Sequence, residues 1–289
     1  MYLSFDDSGA SVQPSQGGRI HVHQVLFHIG EFSVRTYGLT VLLAIFLGLQ
    51  TAITLARLTV KQYEAHLVPL AYSVVVGALI GARAWQVFFF EPAYYFAHPL
   101  EMVAIWQGGL AIQGGIVGGL VIGIWYCWRH QLPFWQVADL LAPSIILGQA
   151  IGRVACLLNG DAFGAPTGQG FGLVYPPGTM AYQSYGNQPL WPAEVWESQA
   201  DMIIFAVLFA ISRKRLPTGV LFLLYNLLYS VARFGLEFLR GDSPRYGLGW
   251  TAAQWTSAVV IMISVVLIFW KFIRDSRGNQ DLPGGLQSL

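Results

Sequence analysis

TYGLTVLLAIFLGLQTAITLA, residues 36–56, contains no charged side chain over about the length that a helix needs to cross a bilayer. A hydrocarbon core about 30 Å thick requires roughly 20 apolar residues in helical conformation. The rest of the chain has the same character. Of its 289 residues, 55% are hydrophobic and 11% are charged, and the mean hydropathy is positive. This composition is typical of an integral membrane protein and not of a soluble globular domain.

Six further apolar runs follow, which together predict an all-α, polytopic membrane protein with seven transmembrane helices. The predicted spans are residues 36–56, 67–90, 108–128, 134–157, 194–212, 217–239 and 250–273. An odd number of spans places the termini on opposite sides. Because cytoplasmic segments carry an excess of Lys and Arg, we predict the N-terminus outside and the C-terminus in the cytoplasm. The basic residues that set this orientation are Arg57, Lys61, Arg129, Arg213, Lys214, Arg215, Lys271, Arg274 and Arg277.

The segments outside the helices define the expected organisation. Residues 1–30 form a polar extracytoplasmic leader that begins MYLSFDDSGA and lacks the basic region of a cleavable signal. Residues 31–275 form one membrane domain. Its long outer loop, about 158–193, is rich in Gly, Pro and Tyr, which favours a functional loop or one packed at the interface. Residues 276–289 are expected to be a cytoplasmic tail.

Several function classes are disfavoured by the sequence. A net charge of +1 argues against a nucleic-acid partner, since phosphate-backbone binding needs a basic face. A retinal protein needs a lysine within its last helix, and 250–270 has none. The absence of an internal repeat disfavours a transporter. We predict no cofactor and no metal site.

Glycines in the third predicted helix lie four residues apart, so that each pair shares a face: Gly114 with Gly118, and Gly115 with Gly119. Small residues at this spacing let backbones approach closely in lipid. Helix packing is the first interpretation. A glycine wall against which a lipid tail or head group lies is the second.

Three arginines lie within predicted helices or at their ends: Arg83, Arg153 and Arg233. A charge at membrane depth costs roughly 2.5–3.5 kcal/mol on insertion scales and usually faces a bundle interior or a water-filled cavity. All three fall in the outer half of the predicted topology, where they are expected to line one cavity. Unpaired guanidiniums there suit an anionic ligand such as a phospholipid head group, because arginine binds phosphate with a bidentate fork.

Two further patterns concern charged residues in helices. The sixth predicted helix places Tyr229, Arg233, Glu237 and Arg240 on one face by helical spacing. The alternative is that Glu237 only neutralises Arg233 or Arg240 in a buried pair. Asp139 begins the fourth helix too far from Arg153 to pair with it, which suggests capping or helix-dipole compensation.

Six segments, in order, resemble the bacterial prolipoprotein diacylglyceryl transferases over about residues 35–273. GRVACLLNGDAFG, 152–164, is similar to the family's G-R-x-G-N-F-x-N-G-[DE]-x-x-G signature, and YSVARFGLEFLRGD, 229–242, to its Y-x-x-x-R-x-x-x-E-x-x-R pattern. Similar segments also occur in the first four helices. They are RTYGL at 35–39, GARAWQV at 81–87, WQGGLAIQGGIVGG at 106–119 and VADLLAP at 137–143.

The resemblance implies transfer of the diacylglyceryl group of phosphatidylglycerol to the lipobox cysteine thiol of a prolipoprotein, releasing glycerol phosphate. It also implies a monomer in the bacterial plasma membrane. Arg153 and Arg233 are expected to hold the phosphate and to stabilise the charge that develops on the leaving group. The resemblance also implies that Arg83, Glu237 and Arg240 shape the cavity. Tyr37 and Tyr229 are expected to donate hydrogen bonds to the head group. Asn159 and Gly164 are expected to form the turn that brings Arg153 to the site.

The chain departs from the family pattern where a proton acceptor is expected. Gln113 replaces a histidine before the paired glycines, and a glutamine does not titrate. The family's H-P-x-Q-x-Y-E segment is WPAEVWE here, residues 191–197. Asp161, Glu194 or the substrate phosphate then remains to accept the thiol proton. The alternative is a copy that binds phospholipid or precursor without transfer. Cys156, at an asparagine of the signature, is expected to be a small apolar filler.

Overall fold

The computed structural model describes residues 18–19, 25–29, 32–168 and 170–280, most of them helical. Most of the predicted leader 1–30, and residues 281–289 of the predicted tail, therefore lie outside the described residues. The helices are α1 Thr36–Thr59, α2 Glu64–Trp85, α3 Pro92–Ala97, α4 Ile112–Arg129, α5 Phe134–Asn159, α6 Met180–Tyr185, α7 Ala193–Ile211, α8 Val220–Leu236 and α9 Ala252–Gln280.

Shorter elements connect these helices. A π-helical turn, Gln86–Phe90, extends α2, and the 3₁₀ turns are Lys61–Tyr63, Pro99–Val103, Ile105–Gln107, Glu237–Leu239 and Gly247–Gly249. The strands are β1 Gly18–Arg19, β2 Val25–Ile29, β3 Phe32–Arg35 and β4 Leu173–Val174. β2 and β3 pair antiparallel directly before α1, and β1 pairs parallel with β4.

Each of the seven predicted spans coincides with a helix of the structure, α1, α2, α4, α5, α7, α8 and α9. Among the described residues, five helical segments are long and apolar enough to cross a membrane: Thr36–Thr59, Lys61–Phe90, Phe134–Asn159, Val220–Leu239 and Ala252–Ser276. The helices at the other two predicted spans, α4 and α7, are not among these segments. Glycines dilute α4, and three acids lie in the first half of α7: Glu194, Glu197 and Asp201.

The described chain divides into two compact units. The first comprises the residues up to Leu42, together with Ala150–Ala200 and Ala232–Ser257. The second comprises Leu43–Gln149, Asp201–Val231 and the residues from Ala258 onward. A core around Ala52, Leu55, Ala56, Tyr63, Leu67 and Leu140 lies within the second unit.

The helices expose many large apolar side chains, as a lipid-facing surface requires. Phe46, Tyr72 and Ile80 are each more than half exposed. A monomeric soluble protein rarely leaves such large apolar patches open to water. The surface of the chain therefore supports the assignment of a membrane protein that the composition indicated.

The α4 glycines have two different surroundings. A Cβ atom on Gly118 would lie 2.9 Å from the Cα of Gly81 in α2, so these two helices touch backbone to backbone. Gly114 meets the same turn of α2, which confirms the packing interpretation for this face. Gly115 and Gly119 have ordinary space and line an apolar cavity of about 320 Å³ within the second unit.

Asp139 caps a different helix from the one predicted. It lies in the second turn of α5, and its carboxylate accepts hydrogen bonds from the backbone amides of Gly219 (2.5 Å) and Phe222 (2.8 Å). These amides belong to the first turn of α8, whose N–H groups have no partner within the helix. Of the two roles suggested for Asp139, capping is therefore confirmed, and the helix that it caps is α8 and not α5, to which it belongs.

The long loop predicted at about 158–193 has a small core of its own. Phe163, Tyr175, Ala181 and Leu190 are buried against one another. Within this loop, Thr179 caps α6, its hydroxyl accepting from the amide of Tyr182. The loop belongs to the first unit, which also contains the charged residues described next.

Candidate active site

One carboxylate, Glu197, joins three arginines in the first unit. It lies in the second turn of α7, and its side chain is 3% exposed. Its Oε2 is 3.0 Å from Nε of Arg153 and 3.3 Å from Nη1 of Arg240, and its Oε1 pairs with Nη1 of Arg233. Three guanidiniums from separate chain segments thus meet at a single carboxylate. We call Glu197 and these arginines the arginine cluster.

Two more acids neutralise the arginine cluster from its edges. Glu237, fully buried, pairs through Oε2 with Nη2 of Arg233 at 2.8 Å, and its Oε1 accepts from the hydroxyl of Thr251 at 2.8 Å. Asp242 pairs with Arg240 at 2.5 Å. Desolvation of a charge costs several kcal/mol unless pairing and further hydrogen bonds compensate for it. Here three carboxylates face three guanidiniums, so the cluster satisfies that requirement.

These contacts correct the expectation that the deep arginines are unpaired. Arg153 and Arg233 both bind Glu197, and the alternative that Glu237 neutralises Arg233 is confirmed. The arginines differ in access, however. The side chains of Arg153 and Arg233 are 19% and 15% exposed, against 7% for Arg240. An incoming anion would therefore meet Arg153 and Arg233 first.

The helical spacing predicted for α8 does not extend as far as Arg240. α8 ends at Leu236, a 3₁₀ turn covers Glu237–Leu239, and Arg240 has extended backbone. Arg240 reaches the arginine cluster because the backbone here pairs with the loop after α5. The amide of Ala165 donates to the carbonyl of Leu239 at 2.7 Å, and Gly164 lies opposite Arg240 in a β-bridge.

The signature loop after α5 builds the turn and orients an acid. Gly160 has a φ of +74°, a conformation that glycine adopts without strain. Asn159 donates from Nδ2 to Oδ2 of Asp161 at 2.7 Å. A Cβ atom on Gly164 would lie 2.7 Å from the Cβ of Trp191, so only glycine fits there. Gly160 thus makes the turn, Asn159 holds Asp161, and Gly164 positions the chain beside Arg240.

Tyr37, at the start of α1, lies beside this loop. It is close enough to Cys156, Asp161 and Arg153 for their charges to act on its phenol, and 42% of the residue is exposed. Cys156 is partly buried between these polar groups. The first unit therefore brings together four of the residues singled out in the sequence, Tyr37, Arg153, Asn159 and Asp161.

Comparison with known proteins identifies the family of the chain. The sequence profile of the family described as prolipoprotein diacylglyceryl transferase matches residues 24–270. The chain belongs to this family.

Curated relatives cover nearly the whole chain. It is 36% identical to a phosphatidylglycerol–prolipoprotein diacylglyceryl transferase of Trichormus variabilis over 261 residues, 86% of this chain and 90% of the relative. Proteins of the same name from Staphylococcus epidermidis and Cupriavidus pinatubonensis are 35% and 30% identical. These matches cover 88% and 90% of this chain, and 91% and 95% of the relatives.

Arg83 of this diacylglyceryl transferase family member lies in the second unit and has different partners. Its Nε donates to the carbonyl of Met102 at 2.9 Å, and Nη1 donates to the carbonyls of Gly108 and Gly109 at 2.7 and 2.9 Å. Nη2 donates to the carbonyl of Glu101, and the guanidinium lies 4.9 Å from the centre of the Tyr95 ring. Arg83 thus holds the segment between α3 and α4 in place.

Two other predicted site residues also lie in the second unit. Gln113 is in the first turn of α4 and is exposed to solvent. Tyr229 stacks on Tyr225, with ring centres 6.2 Å apart. Gln113 and Tyr229 thus belong to the second unit, whereas the arginine cluster belongs to the first.

The WPAEVWE segment, where this family member departs from the pattern, contributes two acids with different surroundings. Glu197 binds the arginines, whereas Glu194, one turn earlier in α7, is fully buried and accepts from the hydroxyl of Tyr175 at 2.5 Å. Burial raises the pKa of the Tyr175 phenol above its ordinary value, and the adjacent Glu194 carboxylate adds to the rise. The phenol therefore remains a hydrogen-bond donor.

Sequence reasoning missed Glu197, the residue at the centre of the arginine cluster. A signal was present in the chain. Glu194, Glu197 and Asp201 follow one another at i, i+3 and i+7, which places three acids on one face of an otherwise apolar helix. Acids in such a helix need cations, and the three deep arginines were the available partners.

Proposed function

We propose that this protein transfers the diacylglyceryl group of phosphatidylglycerol to the lipobox cysteine thiol of prolipoproteins, releasing glycerol phosphate. This is the first step of lipoprotein maturation. Family membership and the names of the curated relatives support the reaction. The observation in the structure that carries the proposal is the meeting of Arg153 and Arg233, both partly exposed, at Glu197.

In this mechanism the forks of Arg153 and Arg233 bind the phosphate of phosphatidylglycerol. Glu197 holds both arginines before the lipid arrives, so little reorganisation is needed when the phosphate enters. As the carbon–oxygen bond of the lipid breaks, negative charge grows on the leaving oxygen. Fixed guanidiniums stabilise that charge more in the transition state than in the bound lipid, which is the condition for acceleration.

The remaining site residues have supporting roles in this proposal. Glu237 and Arg240 shape the cavity around the phosphate, and Asn159 and Gly164 keep Asp161 and the backbone near Arg240 in place. Tyr37 and Tyr229 donate hydrogen bonds to the head group. Arg83 shapes the cavity through the segment that it holds. Asp161, Glu194 and the bound phosphate are the candidates for the thiol proton, since Gln113 does not titrate.

The proposed topology has seven transmembrane helices within residues 31–275, with the N-terminus outside and the C-terminus in the cytoplasm. Five apolar helices and the distribution of Lys and Arg support it. The ends of α5 and α8 that carry Arg153 and Arg233 then lie at the outer face. We expect a monomer in the bacterial plasma membrane, with phosphatidylglycerol and the lipobox peptide as its partners.

A direct assay tests the proposal. Purified protein is incubated with phosphatidylglycerol and a lipobox peptide, and a histidine-bearing relative serves as the positive control. We expect the diacylglyceryl thioether to appear in the mass spectrum of the peptide. Absence of the product, while the relative is active, would rule out transfer.

The second candidate is a family member that binds phospholipid or precursor without transfer. Gln113, in place of a histidine, favours it. This candidate predicts that the gene fails to rescue a cell depleted of its own transferase, although the purified protein still retains phosphatidylglycerol. Rescue of the depleted cell would exclude it.

A further inference from the structure

Glu194 differs from the other acids of the first unit in what its carboxylate contacts. Four other described acids of this unit form an ion pair with a guanidinium or accept a hydrogen bond from a side-chain amide: Asp161, Glu197, Glu237 and Asp242. Within the described part of the chain, the one side chain that hydrogen-bonds to Glu194 is the neutral phenol of Tyr175. Its second oxygen, Oε2, is buried without a hydrogen-bond partner there.

Burial of the ionised Glu194 carboxylate without a cation in contact destabilises the folded protein. An ionised carboxylate that is buried without a cation in contact costs several kcal/mol, and a protein usually removes that cost by pairing or by protonation. Arg240 and Glu197 lie near enough for their charges to act on Glu194, with opposite signs. The first unit thus keeps a buried carboxyl whose Oε2 has no hydrogen-bond partner among the described residues, one helical turn from Glu197 of the arginine cluster.

We propose that Glu194 is the group that accepts the proton of the lipobox thiol. The inference rests on the proposed transferase function. The S–H bond breaks, with its proton passing to Oε2 of Glu194. The sulfur electron pair forms the S–C bond with the diacylglyceryl carbon. The C–O bond to phosphate breaks, and its electron pair leaves on the oxygen of glycerol phosphate, which then takes the proton from Glu194.

The other candidates fit this role less well. Gln113 carries an amide, which neither gains nor loses a proton at useful pH. Asp161 also has one buried oxygen without a hydrogen-bond partner among the described residues, but its other oxygen is held by the side-chain amide of Asn159 at 2.7 Å. Among the described residues, the side chain that hydrogen-bonds to Glu194 is the Tyr175 phenol, so Glu194 is the candidate carboxylate without an amide partner.

Glu194→Gln tests this proposal, because glutamine has the same shape and still accepts the Tyr175 hydrogen bond. A free thiol of pKa about 8.5 is roughly 3% ionised at pH 7. If Glu194 takes the proton, turnover of the variant should fall about 30-fold at pH 7 and recover to within about twofold of wild type at pH 9.5. Glu64→Gln is the matched control, since Glu64 forms an exposed pair with Arg57.

A second measurement separates a proton acceptor from a structural residue. A lipobox peptide with selenocysteine in place of cysteine is already ionised at pH 7, so Glu194→Gln should process it at close to the wild-type rate.

Three outcomes would overturn the assignment to Glu194. One is wild-type turnover of Glu194→Gln at pH 7, and another is a loss that is the same at every pH and with both peptides. The third is that Asp161→Asn, and not Glu194→Gln, shows the pH-dependent loss. Absence of product from the wild-type protein at every pH is a different result, because it refutes the proposed transfer itself.

Discussion

The buried arginines of the two units are held in place by opposite means. In the first unit, Arg153, Arg233 and Arg240 are held by carboxylates, so each positive charge is matched by a negative one. In the second unit, Arg83 is held by four backbone carbonyls and the ring of Tyr95, with no carboxylate partner among the described residues.

This difference separates a structural arginine from arginines suited to binding an anion. Arg83 binds four carbonyls of one segment, so it fixes the fold of residues 101–109. Guanidiniums that carboxylates hold in place are suited to bind a further oxyanion, such as a phosphate. The predictions below test whether the arginine cluster binds substrate and whether the Arg83 region supports structure.

The largest effect is expected for Glu197→Gln. Removing one partner from a buried ionic network costs about 3–5 kcal/mol, because the remaining charges are left uncompensated. The thermal unfolding midpoint of the purified protein should fall well below that of wild type, whereas Glu64→Gln should leave it nearly unchanged. If both variants melt alike, Glu197 does not hold the cluster together.

Arg153→Lys should lower turnover by about 30–100-fold, which corresponds to roughly 2–3 kcal/mol of transition-state stabilisation. Lysine keeps the positive charge but lacks the planar fork that binds two phosphate oxygens. Thioether formation by mass spectrometry measures the effect. A wild-type rate in this variant would show that bidentate contact with the phosphate is unimportant.

Arg83→Lys is expected to lower stability by about 1–3 kcal/mol, because an ammonium group cannot reach the four carbonyls that the guanidinium binds. Limited proteolysis should cut the segment 99–110 faster than in wild type. Equal cleavage of the two proteins would contradict the structural role assigned to Arg83. The distinction between a structural Arg83 and a substrate-binding arginine cluster would then be lost.

Gln113→His should have the smallest effect. If Glu194 accepts the thiol proton, an added histidine leaves turnover unchanged or raises it modestly. The initial rate at pH 7, compared with wild type under the same conditions, measures this. A collapse of activity would mean that the cavity depends on the amide of Gln113.

The helices could be predicted from the sequence because each corresponds to one continuous run of mostly apolar residues. Each of the seven apolar runs coincides with a helix, and five helical segments among the described residues are long and apolar enough to cross a membrane. The glycine spacing in α4 also predicted its close packing, because four residues make about one helical turn. These features depend only on neighbours in the chain.

The partners of the charged residues could not be predicted in this way. Glu197 meets Arg233 and Arg240 across 36 and 43 residues of sequence, and Asp139 caps α8 across 80. No pattern of neighbouring residues predicts contacts between side chains so far apart in the sequence. The end of α8 was likewise misjudged, because the 3₁₀ turn at Glu237–Leu239 depends on the loop that pairs with it. The helix positions of the arginines identified them in the sequence, but the carboxylate that joins three of them became apparent only in the fold.

A double-mutant cycle in turnover tests most directly whether Arg153 and Arg233 act on one phosphate. Arg153→Lys, Arg233→Lys and the double variant are assayed with phosphatidylglycerol and the lipobox peptide. If both forks bind the same group, the double variant should lose less than the product of the two single losses, with a coupling of about 1–3 kcal/mol. Strictly multiplicative losses would contradict the shared site.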